Sequence, residues 1–204
     1  MGRPTTPLIN KQVAIKAALD IIDNEGLEAV SMRRLADELG VASASLYHHF
    51  HNKEELLQAV CGLIYREIPL PDERTERWAD FVVRTASSSR EVILQHPNAL
   101  PLMLQFDPRR VIPHIYERFG NLLLKRGLPV DMIGVIVNAF DTLVTGSAIV
   151  KLARSQASAG QQDSEQSGML AGWERANPRD EDEVFRLLCR ALGDGLTAYI
   201  DASA

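Results

Sequence analysis

The stretch SMRRLADELGVASASLYHHFHNK, from Ser31 to Lys53, decides the fold of the N-terminal part of this chain. Ser31 is a typical helix N-cap, and apolar residues follow it at the spacing of one helix face: Met32, Leu35, Ala36 and Leu39. Gly40 then supplies the left-handed conformation in which many helices end. A second, short helix follows, with Leu46 and Phe50 on its apolar face. Two helices joined through a glycine turn form a helix-turn-helix, whose second helix can enter the major groove of DNA.

The residue types on the second helix suit a groove that is about 12 Å wide. Small residues at 43–45 let the helix backbone approach the bases closely. Longer side chains that donate hydrogen bonds to phosphates or base edges follow: Tyr47, His48, His49 and Lys53. Ser43 fits two roles, a helix cap and a DNA contact, and the pattern permits both.

The three histidines of this stretch do not predict a metal site. His48 and His49 are adjacent and therefore diverge on a helix, and no cysteine or carboxylate lies beside them or His51 at the spacing of zinc ligands. We therefore expect no metal and no other cofactor.

The string LADELGVASASLYHHFHNKEELLQAV, residues 35–60, closely resembles the DNA-binding domain of the TetR (tetracycline repressor) family. The specific part runs from Ala36 through Leu-Tyr-x-His-Phe to Asn52-Lys-Glu-Glu-Leu. Members of this family are mostly dimeric repressors of transcription that a ligand releases from DNA. The resemblance implies an all-α homodimer that binds a palindromic operator and a small hydrophobic effector.

The resemblance also implies roles for individual residues: phosphate binding by His49, a base or phosphate contact by Tyr47, and base-facing positions elsewhere on the motif. Residues 1–9 include Gly2-Arg3-Pro4 and resemble arms that place arginine in the minor groove, although a frayed terminus fits equally well. The complete predicted DNA-binding set is Arg3, Ser31, Arg33, Ser43, Ala44, Ser45, Tyr47, His48, His49 and Lys53.

The composition, with 46% hydrophobic and 24% charged residues, is typical of a soluble globular protein. The net charge is −5, and residues 1–66 contain seven Lys or Arg against eight Asp or Glu. Attraction to DNA must therefore come from the local placement of a few cations: Arg3, Arg33, Arg34 and Lys53. Cys61 and Cys189 lie far apart in apolar helical runs, so a disulfide framework is not expected.

The chain shows no N-terminal apolar segment of signal-peptide length. Its longest apolar run is interrupted by four polar residues, namely Asn138, Asp141, Thr142 and Thr145. We therefore expect a cytoplasmic protein without a membrane partner.

Helical periods and helix-end signals divide the chain into an arm (1–9), a helix-turn-helix domain of three helices (10–66) and a C-terminal helical domain for effector binding and dimerisation (67–204). A capping box at Asn52 and Glu55 begins the helix that leaves the first domain. Pro113 either kinks a helix or marks a later start. Residues 155–179 are rich in Ser, Gln and Gly and predict a flexible loop.

Two long apolar helices, at about 130–154 and 181–201, flank this loop. In the family such a pair from each subunit forms a four-helix bundle, so the resemblance implies dimerisation through them. The apolar residues of the last helix are Val184, Leu187, Leu188, Ala191, Leu192, Leu196 and Tyr199. Gly193 and Gly195 permit close approach of another helix.

The effector site is the least defined part of the pattern. The candidates are Trp78, Phe81, His96, Met103, Phe106, His114, Tyr116, Asn138, Asp141 and Thr142. Aromatic residues and Met at helical spacing fit a plain core equally well, and the polar stripe on the helix near 138 fits hydrogen bonds between helices. The residues by which the founding member grips tetracycline are not found at matching places, so tetracycline itself is not the expected effector.

Two other classes of protein fit less well. The first is an all-α small-molecule-binding protein or an enzyme. No Ser/His/Asp constellation, phosphate loop or metal cluster occurs in the sequence, so we expect no catalytic activity. A protein that binds DNA without regard to sequence would carry a positive charge balance.

Overall fold

The computed structural model describes residues 10–69, 77–158 and 180–203, with the backbone alone at 157, 158 and 203. Within these ranges the chain is helical and contains no strand, which confirms the all-α prediction. The helices are α1 (Lys11–Glu25), α2 (Met32–Leu39), α3 (Ser43–Tyr47), α4 (Lys53–Arg66), α5 (Trp78–Gln95), α6 (Leu100–Gln105), α7 (Pro108–Val111), α8 (Pro113–Lys125), α9 (Val130–Ser158) and α10 (Glu181–Ser203). Short 3-10 turns cover Leu27–Ala29 and Pro97–Ala99. The predicted arm with Arg3, and residues 159–179 of the predicted loop, lie outside the described residues.

The chain forms two compact units, and α1 to α4 belong to the first. Their apolar faces meet in one core, which removes apolar surface from water and provides the main favourable term in folding. The largest fully covered side chains of this core are Ile22, Val30, Leu35, Leu46, Phe50, Leu56, Val60 and Ile64.

Local signals fix the ends of these helices as the sequence predicts. Asn10 caps α1 by accepting from the amide of Gln12, and Ser31 caps α2 by accepting from the amide of Arg34 at 3.0 Å. Gly40 ends α2 with a φ of 66°, a left-handed conformation that only glycine adopts without strain. Because α2 ends at Gly40, the turn that leads to α3 is short.

Residues 95–118 also belong to the first unit, so the units do not follow the linear division at residues 66 and 67 that the sequence suggests. Asp107 caps α7, with Pro108 at its first position. The helix then breaks at Ile112, and α8 begins at Pro113, so this proline starts a helix and does not kink one.

The second unit contains residues 69–94 and 119–204, of which the structure describes 69, 77–94, 119–158 and 180–203. The rings of Phe81 and Phe119 are 5.2 Å apart, and the guanidinium of Arg126 lies 5.0 Å from the Phe81 ring centre. Gly193 allows α10 to approach α5 closely, because a Cβ atom there would lie 3.2 Å from the Cβ of Ala79. The expected role of Gly193 is thus confirmed, whereas Gly195 has no atom within 4 Å of that position.

The long helices α9 and α10 each bury one narrow stripe within the chain. The buried residues are Ile136, Phe140, Val144 and Ala148 on α9 and Phe185, Cys189 and Gly193 on α10. The sequence pattern of α10 pointed to a face with Leu187, Leu188 and Tyr199, and these three side chains are exposed in the chain. Both sides of α10 are apolar, so periodicity alone could not identify the covered side. Residues 155–158 continue α9 and do not begin the predicted loop.

Candidate nucleic-acid interface

Helix α3 has one buried and one exposed side. Leu46 and Phe50 are covered by the core of the first unit, as predicted, and they fix the orientation of the short helix. Tyr47 is 52% exposed. Ala44 and His48 are exposed, while Ser43, Ser45 and His49 are partly exposed. The predicted DNA-contacting residues of this helix are therefore accessible from solvent.

Ser43 does not cap α3. The N-cap residue is Ala42, which has no side chain able to cap, and the amide of Ser45 bonds to the Ala42 carbonyl at 2.9 Å. Ser43 is the first residue of the helix itself. Of the two roles that the sequence left open for Ser43, the structure excludes helix capping, and the DNA contact stays a prediction.

The neighbouring arginines of α2 have different environments. The Arg33 side chain is 90% exposed and lies 3.9 Å from Asp37. Arg34 donates to Glu25 and to Glu38, both at 2.6 Å, and these bonds raise its pKa. Arg34 therefore ties α2 to the end of α1, a nonlocal pairing that the sequence pattern did not indicate, and its guanidinium is already occupied by carboxylates.

The start of α4 is bonded to the turn that precedes it and to α1. Asn52 accepts from the amide of Glu55 at 2.8 Å, as a capping box requires. In a standard capping box the Glu55 carboxylate would accept from the amide of Asn52. Here it accepts from the amide of His51 instead. Its other oxygen lies 3.2 Å from Nζ of Lys11, which also lies 5.0 Å from the Phe50 ring centre.

These bonds to the Glu55 carboxylate lower its pKa, the largest contribution coming from the His51 amide and the next from Lys11. Lys11 is 44 residues from Glu55, so no local signal could have revealed this pair. Lys53, the first residue of α4, is partly exposed beside this anchored segment. A phosphate is favoured at such a helix start by the free amides and the helix dipole.

The predicted effector-site residues of the first unit have varied surroundings. Met103 is buried, Phe106 and Tyr116 are half-buried, and His114 is exposed. Both ring nitrogens of His96 are bonded to carboxylates, at 2.9 Å to Asp23 and 3.2 Å to Glu67.

The candidates of the second unit also differ. Phe81 is a core residue and Trp78 is half-buried. Asn138 and Thr142 are exposed, and the Thr142 hydroxyl donates to the backbone carbonyl of Asn138 at 2.7 Å, within its own helix. Asp141 is half-buried. The assignment of these residues to an effector site stays a prediction.

Helix α9 satisfies, by length and composition alone, the requirements of a membrane-spanning helix. Within Val130–Gln156, the most apolar stretch of 18 residues has a mean hydropathy of 1.7, and 22% of that stretch is buried inside the chain. The polar residues that we expected to interrupt this run are too few to lower its mean hydropathy below that of membrane-spanning helices. Helices that pack against other helices in soluble proteins have the same composition. Exposed apolar residues occur on both long helices, namely Val135, Ile149 and Val150 on α9 and Leu187, Leu188 and Tyr199 on α10.

Residues 14–60 match the family model described as bacterial regulatory proteins, tetR family. The matched range begins in α1, contains the entire helix-turn-helix and ends within α4. Within this range the chain is similar to the DNA-binding domain of the TetR family. Curated relatives include an HTH-type transcriptional regulator of Saccharopolyspora erythraea, with 34% identity over 48% of this chain and 42% of that protein. They also include the class E tetracycline repressor protein of Escherichia coli, with 29% identity over 70% of this chain and 68% of that protein.

Solved structures extend this likeness beyond the DNA-binding domain. ActR from Streptomyces coelicolor in its apo form has a TM-score of 0.81 and 28% identity, and the match covers 98% of this chain and 100% of ActR. ActR in complex with (S)-DNPA has a TM-score of 0.75 and 29% identity over 95% of this chain and 99% of ActR. BioQ bound to its double-stranded DNA operator has a TM-score of 0.61 and 28% identity over 74% of this chain and 93% of that structure.

Proposed function

We propose that this chain is a TetR-family regulator of transcription that responds to a ligand: a repressor that binds a palindromic operator as a homodimer and is released by a small hydrophobic effector. The observation that carries the proposal is the exposed side of α3. Its polar residues are accessible while Leu46 and Phe50 anchor the helix from behind. A helix held in this way can enter a major groove without losing its own packing.

Operator binding has independent support from a relative. BioQ, at 28% identity, has been solved with its DNA operator. By analogy, paired α3 helices of a dimer would read two half-sites, since the symmetry of a dimer matches the symmetry of a palindrome. The proposed contact residues are the set predicted from the sequence, with Arg33, Tyr47 and Lys53 as its accessible long side chains.

The first test uses the purified chain and fragments of the genome that encodes it. Fragments retained at physiological salt are sequenced, and a few palindromic sites are expected among them. Equal recovery of all fragments would indicate binding without specificity, and recovery of none, with or without added candidate effectors, would overturn operator binding.

The second test uses the operator found in this way. Tyr47→Ala and Lys53→Ala should each weaken binding by about 1–3 kcal/mol, the scale of a lost base or phosphate contact, and should leave the dimer intact. Lys125→Ala removes an exposed cation at the end of α8 and serves as the charge-matched control. Unchanged affinity in both interface variants would exclude this surface.

The proposed dimer interface lies on α9 and α10. Each helix carries apolar side chains that its own chain leaves exposed, and burial of such side chains contributes about 25 cal/mol per Å². Sedimentation of the detergent-free protein tests this point, because a monodisperse dimer is expected. Insertion of α9 into a bilayer would instead leave the protein in the membrane fraction.

An effector that binds in the C-terminal part is supported by the ActR complex with (S)-DNPA. An effector can shift the operator-binding equilibrium only by its difference in affinity for the two states. We also assign the chain to the cytoplasm and to regulation without catalytic turnover, as expected for DNA-binding regulators of this family. Recovery of a bound effector in unaltered form supports this assignment, and its conversion to a product would contradict it.

A further inference from the structure

The ring of His96 lies between two carboxylates from different helices. Its Nδ1 is 2.9 Å from Oδ2 of Asp23, in the last turns of α1, and its Nε2 is 3.2 Å from Oε2 of Glu67, the C-cap residue of α4. All three residues belong to the first unit. His96 thus connects the ends of two helices that frame the DNA-reading motif, from a position just before the Pro97–Ala99 turn.

The chemistry of the three groups defines the charge of the ring. An ionised carboxylate only accepts hydrogen bonds, and a neutral imidazole donates from one nitrogen only. Both contacts are hydrogen bonds only when both ring nitrogens carry protons, so the bridged arrangement requires the imidazolium form of His96.

The surroundings favour that form. The His96 side chain is 13% exposed, and Oδ1 of Asp23 is buried without a hydrogen-bond partner among the described residues. Among those residues, Asp23 and Glu67 are the charged groups within bonding distance of the ring. Burial alone lowers the pKa of His96, but the hydrogen bonds to Glu67 and Asp23 and their charges outweigh it, so the pKa is raised.

A further bond holds the turn after His96 against the same helix end. The side-chain amide of Asn98 donates to the backbone carbonyl of Asp23 at 2.8 Å. This bond does not depend on protonation. The end of α1 therefore keeps this one hydrogen bond to the segment after His96 when the ring is neutral. Glu67, by contrast, is connected to that segment only through its bond to Nε2 of the ring, among the described hydrogen bonds.

We propose that His96 is a positioning residue whose imidazolium form ties the C-terminal end of α4 to α1 and so supports operator binding, and that loss of its proton loosens α4. The proposal rests on the function proposed above, because α4 continues directly from the helix-turn-helix. For a group with a raised pKa, the stabilising contribution is complete below the unfolded-state value of about 6.5 and is lost as the pH rises through the folded-state value.

The first experiment needs no DNA. Nitrogen NMR of the imidazole rings, assigned with His96→Gln, should show His96 more than half protonated at about pH 6.5, where an unperturbed imidazole is half protonated. Hydrogen exchange should show protection of the Glu67 and Ile68 amides that falls as His96 titrates, after correction for intrinsic exchange. A neutral His96 at that pH, or equal protection in wild type and His96→Gln, would overturn the proposal.

The second experiment uses His96→Lys, because lysine stays charged to about pH 10 and donates to both carboxylates. The ratio of the wild-type to the His96→Lys operator dissociation constant should rise by about fivefold or more between about pH 6 and about pH 8.5, the lower end for coupled equilibria. The two proteins differ only at residue 96, so effects of pH on the rest of the protein and on the DNA cancel in this ratio. A ratio that stays constant would show that His96 does not act on DNA binding.

The two experiments separate the proposals. If wild type retains no DNA while His96 titrates and Glu67 protection follows it, operator binding fails and the tie between α1 and α4 stands. His96→Lys keeps the test open if His96→Gln does not fold. In that case the protection of the Glu67 amide is compared between the two remaining proteins. It should fall with rising pH in wild type, as His96 loses its proton, and should not depend on pH in His96→Lys.

Discussion

Arg90 donates a hydrogen bond through Nη1 to Oδ1 of Asp182 at 2.6 Å, and this ion pair joins α5 to the first turn of α10. The Arg90 side chain is 5% exposed and the Asp182 side chain 45%. Arg90 also donates through Nε to the Ser147 hydroxyl at 2.8 Å and lies over the Phe185 ring, while its Nη2 is buried without a partner among the described residues. The buried cation therefore depends on one carboxylate.

Asp182→Ala should destabilise the protein more than Arg90→Met does. The first substitution leaves a buried charge unpaired, whereas the second removes the charge and keeps an apolar stem. We expect a loss of about 1–3 kcal/mol for Asp182→Ala, below the range for fully buried pairs because water reaches the carboxylate. Chemical unfolding at a fixed protein concentration measures the difference.

Glu181→Ala is the control for this comparison. Its partner Arg154 is 69% exposed, so the change should stay within about 0.5 kcal/mol. A smaller effect for Asp182→Ala than for Arg90→Met would contradict the account of the buried cation.

The environment of the Asp182 carboxylate predicts that the stability of the protein falls at acidic pH. Hydrogen bonds from Lys151 and then Arg90 lower the pKa of Asp182, against a smaller opposing effect of burial. A group whose pKa is lowered on folding stabilises the protein above its unfolded value and loses that contribution as the pH falls through its folded value. The stability difference between wild type and Asp182→Asn should be constant above about pH 5 and should shrink below about pH 4. A difference that grows towards acid would have the wrong sign.

Helix ends were predictable from the sequence because their signals are local. Ser31, Gly40 and Asn52 act within four residues of the backbone groups that they satisfy. The role of Arg34 was not predictable, because it depends on Glu25 from another helix. His96 was assigned to an effector site by its residue type alone, and its carboxylate partners lie 73 and 29 residues away.

The exposed side of α3 was predictable for a related reason. Leu46 and Phe50 mark its covered side, so the remaining residues had to face outward. Helix α10 has apolar residues on both sides, and only the tertiary structure distinguishes Phe185 and Cys189, which its own chain covers, from the exposed Leu187. The exposed residues of α3 could thus be listed from the sequence, whereas the covered side of α10 could not.

Adjacent arginines of α2 should respond differently to removal. Arg33→Ala should weaken operator binding and reduce the salt dependence of the affinity by about one phosphate contact, with no change in stability. Arg34→Ala removes two bonds to partly exposed carboxylates and should lower the stability slightly, with a smaller effect on DNA binding than Arg33→Ala has. Binding measured at several salt concentrations, together with unfolding, separates the two. The reverse pattern would place Arg34 on the DNA.

The approach of α7 to α4 can be tested at Gly62. A Cβ atom there would lie 3.3 Å from Cγ1 of Val111, so the valine must move by a few tenths of an ångström. Alanine in a helix interior is favoured over glycine by about 0.5–1 kcal/mol, and the crowded contact should cancel most of that gain in Gly62→Ala. In Gly62→Ala with Val111→Ala the crowding is gone, so the two substitutions should couple favourably by about 0.5 kcal/mol or more.

Gly120→Ala, whose Cβ would meet Ile133 at an ordinary 3.7 Å, should gain the full helix preference. A double-mutant cycle of unfolding free energies measures the coupling, and strict additivity would mean that α7 does not press on α4 at this point.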